Sequence, residues 1–225
     1  MDSVPDNILD LLRRMHGRID TSSFIATRVR DKGLFEFIVA VMLSQNTSDR
    51  NAIRAYENLR RLVGGRIEPG RVLKRSLEEV MEAIRPAGMY RQRAKRIMEL
   101  ARLFSNRGFV EKLVSDLESM DVEEARKLLT SLPGVGVKTA DVVLLMYFGK
   151  PTFPVDTHIT RITRRLGVLD RYGYEDIRRY WMQMVEPKDY LELHLLLITH
   201  GRRICRARNP LCSKCLLNNI CSHSI

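Results

Sequence analysis

The chain has no run of 18 or more consecutive apolar residues, so it lacks the sequence signature of a membrane-spanning helix. No secretory leader is expected either. The opening MDSVPDNILD carries acids where a leader carries bases ahead of an apolar run. Cysteine is missing until position 205, which leaves no thiols for a disulfide framework across the body of the protein. Low-complexity linkers and internal repeats are also missing. Glutamine is scarce, at Gln45, Gln92 and Gln183 only, and this is shared with thermophile-like compositions. Together these absences predict a soluble, intracellular protein of the cytoplasm. No extra apolar surface helix is evident, so a monomer is expected.

What is present is basic charge. Over 225 residues the formal net charge is +11, the electrostatic footprint of a nucleic-acid binder. Of the 38 basic residues, 29 are arginine, whose planar fork binds phosphate bidentately. Hydrophobic residues make up 44%, enough to fill a core, and the length suits one large domain or two small ones.

The apolar periodicity is helical almost throughout, and we expect about ten short helices and no sheet. Ile8, Leu11, Leu12 and Met15 recur at helical spacing before Gly17. Leu34 to Leu43 is apolar except for Glu36, and its length and Ala and Met content favour a buried helix. A loop containing Gly64, Gly65, Pro69 and Gly70 separates two further amphipathic stretches. Asp121 and Glu124 have the spacing of a capping box ahead of Val122, Ala125, Leu128, Leu129 and Leu132. The fold class that follows is all-α.

Between two helical patterns lies LPGVGVKTA, residues 132–140. Pro133 stops the first helix, and Gly134 and Gly136 permit a tight turn with a backbone in close approach to another molecule. The second helix should run from near Val137 to Phe148, stopping at Gly149. Its N-terminal amides would attract an anion, in a basic protein a phosphodiester. Lys138 falls in the first turn of this helix. The dipole there, with partial burial, would lower its pKa and favour a nucleophilic amine able to form a Schiff base with a sugar carbonyl. The plainer alternative is a lysine that contacts phosphate. Asp156 follows the extended Phe153-Pro154-Val155 and precedes a helix running to Leu166, with Gly167 as its stop. It is either that helix's N-cap, or a carboxylate facing a developing positive charge, or both.

The four cysteines, Cys205, Cys212, Cys215 and Cys221, have the spacing C-x6-C-x2-C-x5-C. Thiolates this close are ligands for a [4Fe–4S] cluster or for tetrahedral zinc, and spacing alone does not choose between them.

LPGVGVKTADVV, FPVDTHITRI and HGRRICRARNPLCSKCLLNNIC together resemble the endonuclease III branch of the helix-hairpin-helix DNA glycosylases, from about Phe35 to Cys221. The resemblance implies a two-lobed all-α fold with a C-terminal [4Fe–4S] cluster loop. One lobe would be a six-helix domain with the hairpin, residues 28–151; the other would be an iron-sulfur domain of residues 1–27 plus 152–225. The partner implied is double-stranded DNA carrying damaged bases or abasic sites, with the damaged nucleotide flipped out of the stack. Lys138 matches the family's nucleophilic lysine and Asp156 its essential aspartate. The branch that keeps this lysine is bifunctional: it removes the base and cuts 3′ to the abasic site by β-elimination. Gly134 and Gly136 carry over as DNA-approaching positions. The four cysteines carry over as ligands of a [4Fe–4S] cluster, with no need of His200 or His223. Arg206 and Arg208 would sit in a loop against the DNA backbone. The stretch Leu43–Asp49 resembles the loop whose amide fills the hole left by the flipped base. Asn46 is preferred for that role, with Gln45 the alternative. Met89 would be the apolar wedge on the opposite strand, unless it is a core methionine. Asp141 replaces an asparagine common in bacterial members and leaves room for a changed base preference.

The leading expectation is therefore a glycosylase and abasic-site lyase for oxidised pyrimidines of the thymine glycol type. A uracil or thymine mismatch glycosylase acting opposite guanine is the alternative enzyme. A non-catalytic DNA-binding protein is the third possibility, against which intact Lys138 and Asp156 count.

Overall fold

Side-chain caps at Ser48, Ser76, Asn106, Asp121 and Asp156, with glycine stops at Gly17 and Gly167, set several of the helix boundaries. The computed structural model describes Ile8–His223; the acidic start, residues 1–7, lies outside the described residues. Among the described residues there are thirteen α-helices and no strand. They are α1 Ile8–His16, α2 Ile25–Arg28, α3 Leu34–Ser44, α4 Asp49–Leu62, α5 Pro69–Leu73, α6 Leu77–Ile84, α7 Tyr90–Phe104, α8 Arg107–Ser119, α9 Val122–Thr130, α10 Val137–Met146, α11 Thr157–Leu166, α12 Tyr174–Gln183 and α13 Tyr190–Arg203. Gly17 and Gly167, each with positive φ, end α1 and α11 where the sequence places their stops. Pro69 and Gly70 differ from expectation. Rather than extending the loop, Pro69 takes the first position of the short α5, where its missing N–H costs nothing. Asp121 caps α9 by accepting from Glu124 N–H at 2.9 Å. The reciprocal box is complete at Ser76 and Glu79 before α6.

The chain divides into two compact units, Met1–Asp20 with Pro151–Ile225, and Thr21–Lys150. The second begins a few residues before the expected boundary at 28 because α2 packs on α3 and α4, burying Phe24, Ile25 and Val29. It holds α2 to α10, nine helices counting the single turns α2 and α5, where six were expected. Its core is built around α3. Every residue from Leu34 to Leu43 is buried, so this helix is apolar on all sides and is covered by α4, α7 and α10. Glu36 is buried with them and accepts the Tyr56 hydroxyl at 2.5 Å. In the unit of Met1–Asp20 and Pro151–Ile225, α13 is central, buried from Leu193 to Gly201 and packed on α1 and α11. In α1 the buried residues are Ile8, Leu9 and Leu12, so Leu9 takes the place expected of Leu11 and Met15. Trp181 is fully buried, and its indole N–H donates to Thr163 Oγ1 at 2.8 Å.

Candidate functional site

In the unit Thr21–Lys150, the turn between α9 and α10 is fixed by Gly134. Its φ is +79°, and an added Cβ would lie 2.4 Å from Met42 Cε and 3.1 Å from Arg96 Cβ. The glycine therefore lets the turn seat on α3 and α7 as well as reverse direction. Gly136 differs: its φ is −93° and an added Cβ would meet nothing within 4 Å. Lys138 is the second residue of α10 and is half-buried. No carboxylate pairs with it among the described residues of its unit. Thr139 is buried, and its Oγ1 accepts from Gln45 Nε2 at 2.8 Å.

That bond separates the two amides of the α3–α4 loop. Gln45 is tied into the hairpin, also reaching Gly134 O at 3.5 Å. Asn46 is exposed and takes a positive φ of 50°. Met89 is not a core methionine: it is 60% exposed, with φ 49°, directly before α7. A non-glycine residue with positive φ is uncommon, and three occur among the described residues: Asn46, Met89 and Asn209.

Arg93, which sequence reasoning missed, lies between the Asn46 and Met89 loops. It is 6% exposed; its Nε donates to Gly88 O at 3.2 Å and its NH2 to Gln45 O at 3.0 Å. Burial lowers its pKa from the usual guanidinium range. A signal was available: Arg93 continues the apolar stripe of α7, four and seven positions ahead of the buried Ile97 and Leu100. Asp141 is also interior. It is fully buried, with Oδ1 2.8 Å from Arg126 Nε and Oδ2 accepting from Arg126 NH2 at 3.3 Å. This ion pair joins α9 to α10.

In the other unit, Asp156 is the N-cap of α11: its Oδ1 accepts from Ile159 N–H at 2.8 Å. The carboxylate stays half-buried, so capping fixes its position and leaves its second oxygen for other work. Cys205, Cys212, Cys215 and Cys221 are free thiols that line one pocket, together with His200, Ile204 and Leu217. Burial, and then the neighbouring thiols, push Cys215 and Cys221 above the usual thiol range. Such a set favours a positive guest that would stabilise the thiolates. Among the described residues, no group of three or more His, Cys, Asp or Glu side chains is placed to hold a single metal ion, although all four cysteines line the one pocket. His200 Nε2 lies 3.8 Å from Cys215 Sγ, and His223 is exposed. Arg165 of α11 organises the loop that follows Cys205. Its NH1 donates to Arg206 O at 2.7 Å and to Cys205 Sγ at 3.3 Å, and its NH2 to Ala207 O at 3.2 Å. Arg206 and Arg208 are exposed on that loop, Arg206 NH2 donating to Asn209 O at 3.0 Å.

The family described as HhH-GPD superfamily base excision DNA repair protein matches residues 39–187. Endonuclease III of Sulfolobus acidocaldarius is 36% identical over 223 residues, covering 96% of this chain and 95% of its own. A non-covalent endonuclease III–DNA complex superposes with a TM-score of 0.78 at 26% identity, covering 99% of this chain and 97% of that one. A trapped endonuclease III–DNA covalent intermediate does so with a TM-score of 0.73 at 26% identity, covering 99% and 98%.

Proposed function

The chain belongs to the HhH-GPD superfamily of base excision DNA repair proteins, on its endonuclease III branch, and we propose that it is a bifunctional DNA glycosylase and abasic-site lyase. Its substrate is double-stranded DNA carrying an oxidised pyrimidine of the thymine glycol type. The observation that carries this reading is Lys138: half-buried, without a carboxylate partner in its unit, in the first turn of the helix that leaves a glycine hairpin. A relative caught as a covalent DNA intermediate supports it.

The chemistry divides between two residues. When the N-glycosidic bond breaks, the base leaves with the bonding pair and positive charge develops on the sugar, where the Asp156 carboxylate stabilises it. The Lys138 amine adds at C1′, and the sugar ring opens to an imine on Nζ. The C2′ proton is then lost and its electron pair forms the C2′–C3′ double bond as the C3′–oxygen bond breaks, releasing the 3′ phosphate. Gly134 and Gly136 bring the backbone of the turn to a phosphodiester, and Asn46 fills the gap left by the flipped base while Met89 wedges opposite. The geometry supports Asn46 over Gln45, because the Gln45 amide is already engaged by Thr139.

Cys205, Cys212, Cys215 and Cys221 would hold a [4Fe–4S] cluster, whose contribution when bound is to shape the loop carrying Arg206 and Arg208. The two units correspond, on this reading, to a hairpin lobe and an iron-sulfur lobe. The mismatch alternative rested on Asp141 and Gln45, and both side chains are engaged inside their unit. No helix of the described residues is long and apolar enough to cross a membrane. A repair enzyme of this kind works on the chromosome, in the cytoplasm and nucleoid of a prokaryotic host.

Borohydride trapping tests the reading, with a thymine glycol duplex and a guanine–uracil duplex side by side. A covalent complex on thymine glycol that disappears in Lys138→Ala is expected. Reaction on guanine–uracil alone would reassign the protein to mismatch repair. Unchanged strand cleavage in Lys138→Ala would overturn the lysine mechanism.

A further inference from the structure

A guanidinium sits in α7 where its apolar stripe calls for a hydrocarbon. Arg93 is 6% exposed, its NH1 is buried without a hydrogen-bond partner, and no carboxylate pairs with it among the described residues of its unit. Burying an arginine on these terms is unfavourable. What it does that a leucine cannot is hold two main-chain carbonyls from two different loops at once, those of Gln45 and Gly88. Each carbonyl belongs to the residue just before a strained one. Gln45 precedes Asn46 at φ 50°, and Gly88 precedes Met89 at φ 49°. The side chain of Gln45 carries the brace one step further, to Thr139 Oγ1 at 2.8 Å, beside Lys138.

We propose that Arg93 is a positioning residue that couples these two loops, so that Asn46 and Met89 enter the duplex as one step, registered through Gln45 to the helix carrying Lys138. This inference rests on the function proposed above. Neither loop need be rigid by itself: the fork fixes the distance between the two carbonyls, and the strained residues inherit that spacing.

The test is a double-mutant cycle on the full chain, read as affinity for a duplex carrying a tetrahydrofuran abasic-site analogue. Asn46→Ala, Met89→Ala and the pair are measured in the native and Arg93→Met backgrounds. In the native background the two losses should be non-additive by about tenfold; in Arg93→Met they should add to within about twofold. A residue that only stabilises the fold would weaken all four affinities alike and leave the coupling in place. Additivity in the native background, or coupling that survives in Arg93→Met, overturns the proposal. If Arg93→Met does not fold, Arg93→Lys keeps the charge without the planar fork, and undiminished coupling there is equally fatal. A native protein that neither binds this duplex nor traps on thymine glycol would sink the proposed function, and this inference with it. Binding and trapping with additive losses would sink this inference alone.

Discussion

Gly134 and Gly136 lie two positions apart in one turn and answer to different constraints. At Gly134 any side chain meets Met42 and Arg96 and must take a positive φ. Gly134→Ala is expected to lose about 2–4 kcal/mol of unfolding free energy, from left-handed strain plus overpacking. At Gly136 an added methyl has open space around it. Gly136→Ala should therefore leave the urea midpoint nearly unchanged while weakening binding to abasic-site DNA, because only an approaching backbone would meet the methyl. Equal DNA affinity in Gly136→Ala and native protein would show that no phosphodiester comes close there. The sequence marks both glycines, and the surrounding Leu-Pro-Gly-Val-Gly-Val-Lys pattern is specific enough to indicate chemistry. It does not separate their roles, because one is set by residues about 90 and 40 positions away in the chain, Met42 and Arg96. The choice between Gln45 and Asn46 was open for the same reason: a bond to Thr139 engages the Gln45 amide, and the α3–α4 loop contains no local trace of that bond.

At the scale of helices, two interior contacts make predictions. The Arg126–Asp141 pair joins α9 to α10, on either side of the hairpin. Asp141→Ala removes the fully buried carboxylate while Arg126 keeps Glu123, 2.7 Å from its NH1, so it should cost about 1–3 kcal/mol, whereas the paired replacement Arg126→Met with Asp141→Leu should cost less. The paired variant should also keep the native ratio of activities on thymine glycol and guanine–uracil duplexes; a changed ratio would return Asp141 to the base pocket. In α12, the Tyr180 hydroxyl is buried without a hydrogen-bond partner among the described residues, and burial pushes its pKa up to about 12. The unfolded chain loses this proton first, near pH 10, so the group's contribution is complete below about pH 10 and is lost as pH rises toward 12. Tyr180→Phe should flatten that alkaline slope in urea midpoints and change neutral-pH stability by no more than about 1 kcal/mol, in the stabilising direction. Helix ends were largely legible, because glycine stops and the Asp121 and Asp156 caps are local chemistry. Arg93 showed in the sequence only as a charge on an apolar stripe, which acquires meaning when two loops meet; Met89 is exposed, as its wedge reading required and its core reading did not.

At the scale of the molecule, the excess of 11 positive charges is the property most directly tied to DNA. Each phosphate neutralised contributes about −0.9 to the slope of log affinity against log salt. Not every arginine belongs in that count. Arg93, Arg126 and Arg178 are buried, and the NH1 of Arg165 is committed to a carbonyl and a thiol. Arg208 is the opposite case, exposed on the loop that follows Cys205. Arg208→Ala should therefore reduce the magnitude of the salt slope by about 1, with affinity falling by a similar factor on damaged and undamaged duplexes, as expected of a phosphate contact. Arg165→Met should act at one remove. It frees the carbonyls of Arg206 and Ala207, so it should weaken affinity and lower the salt slope while leaving Arg208 itself in place. Anisotropy titrations over a salt series, on native protein and both variants, measure these slopes. A native slope carried unchanged into both variants would show that the cysteine loop does not face the DNA backbone, and a cluster held by the four cysteines would then need a role other than shaping that loop.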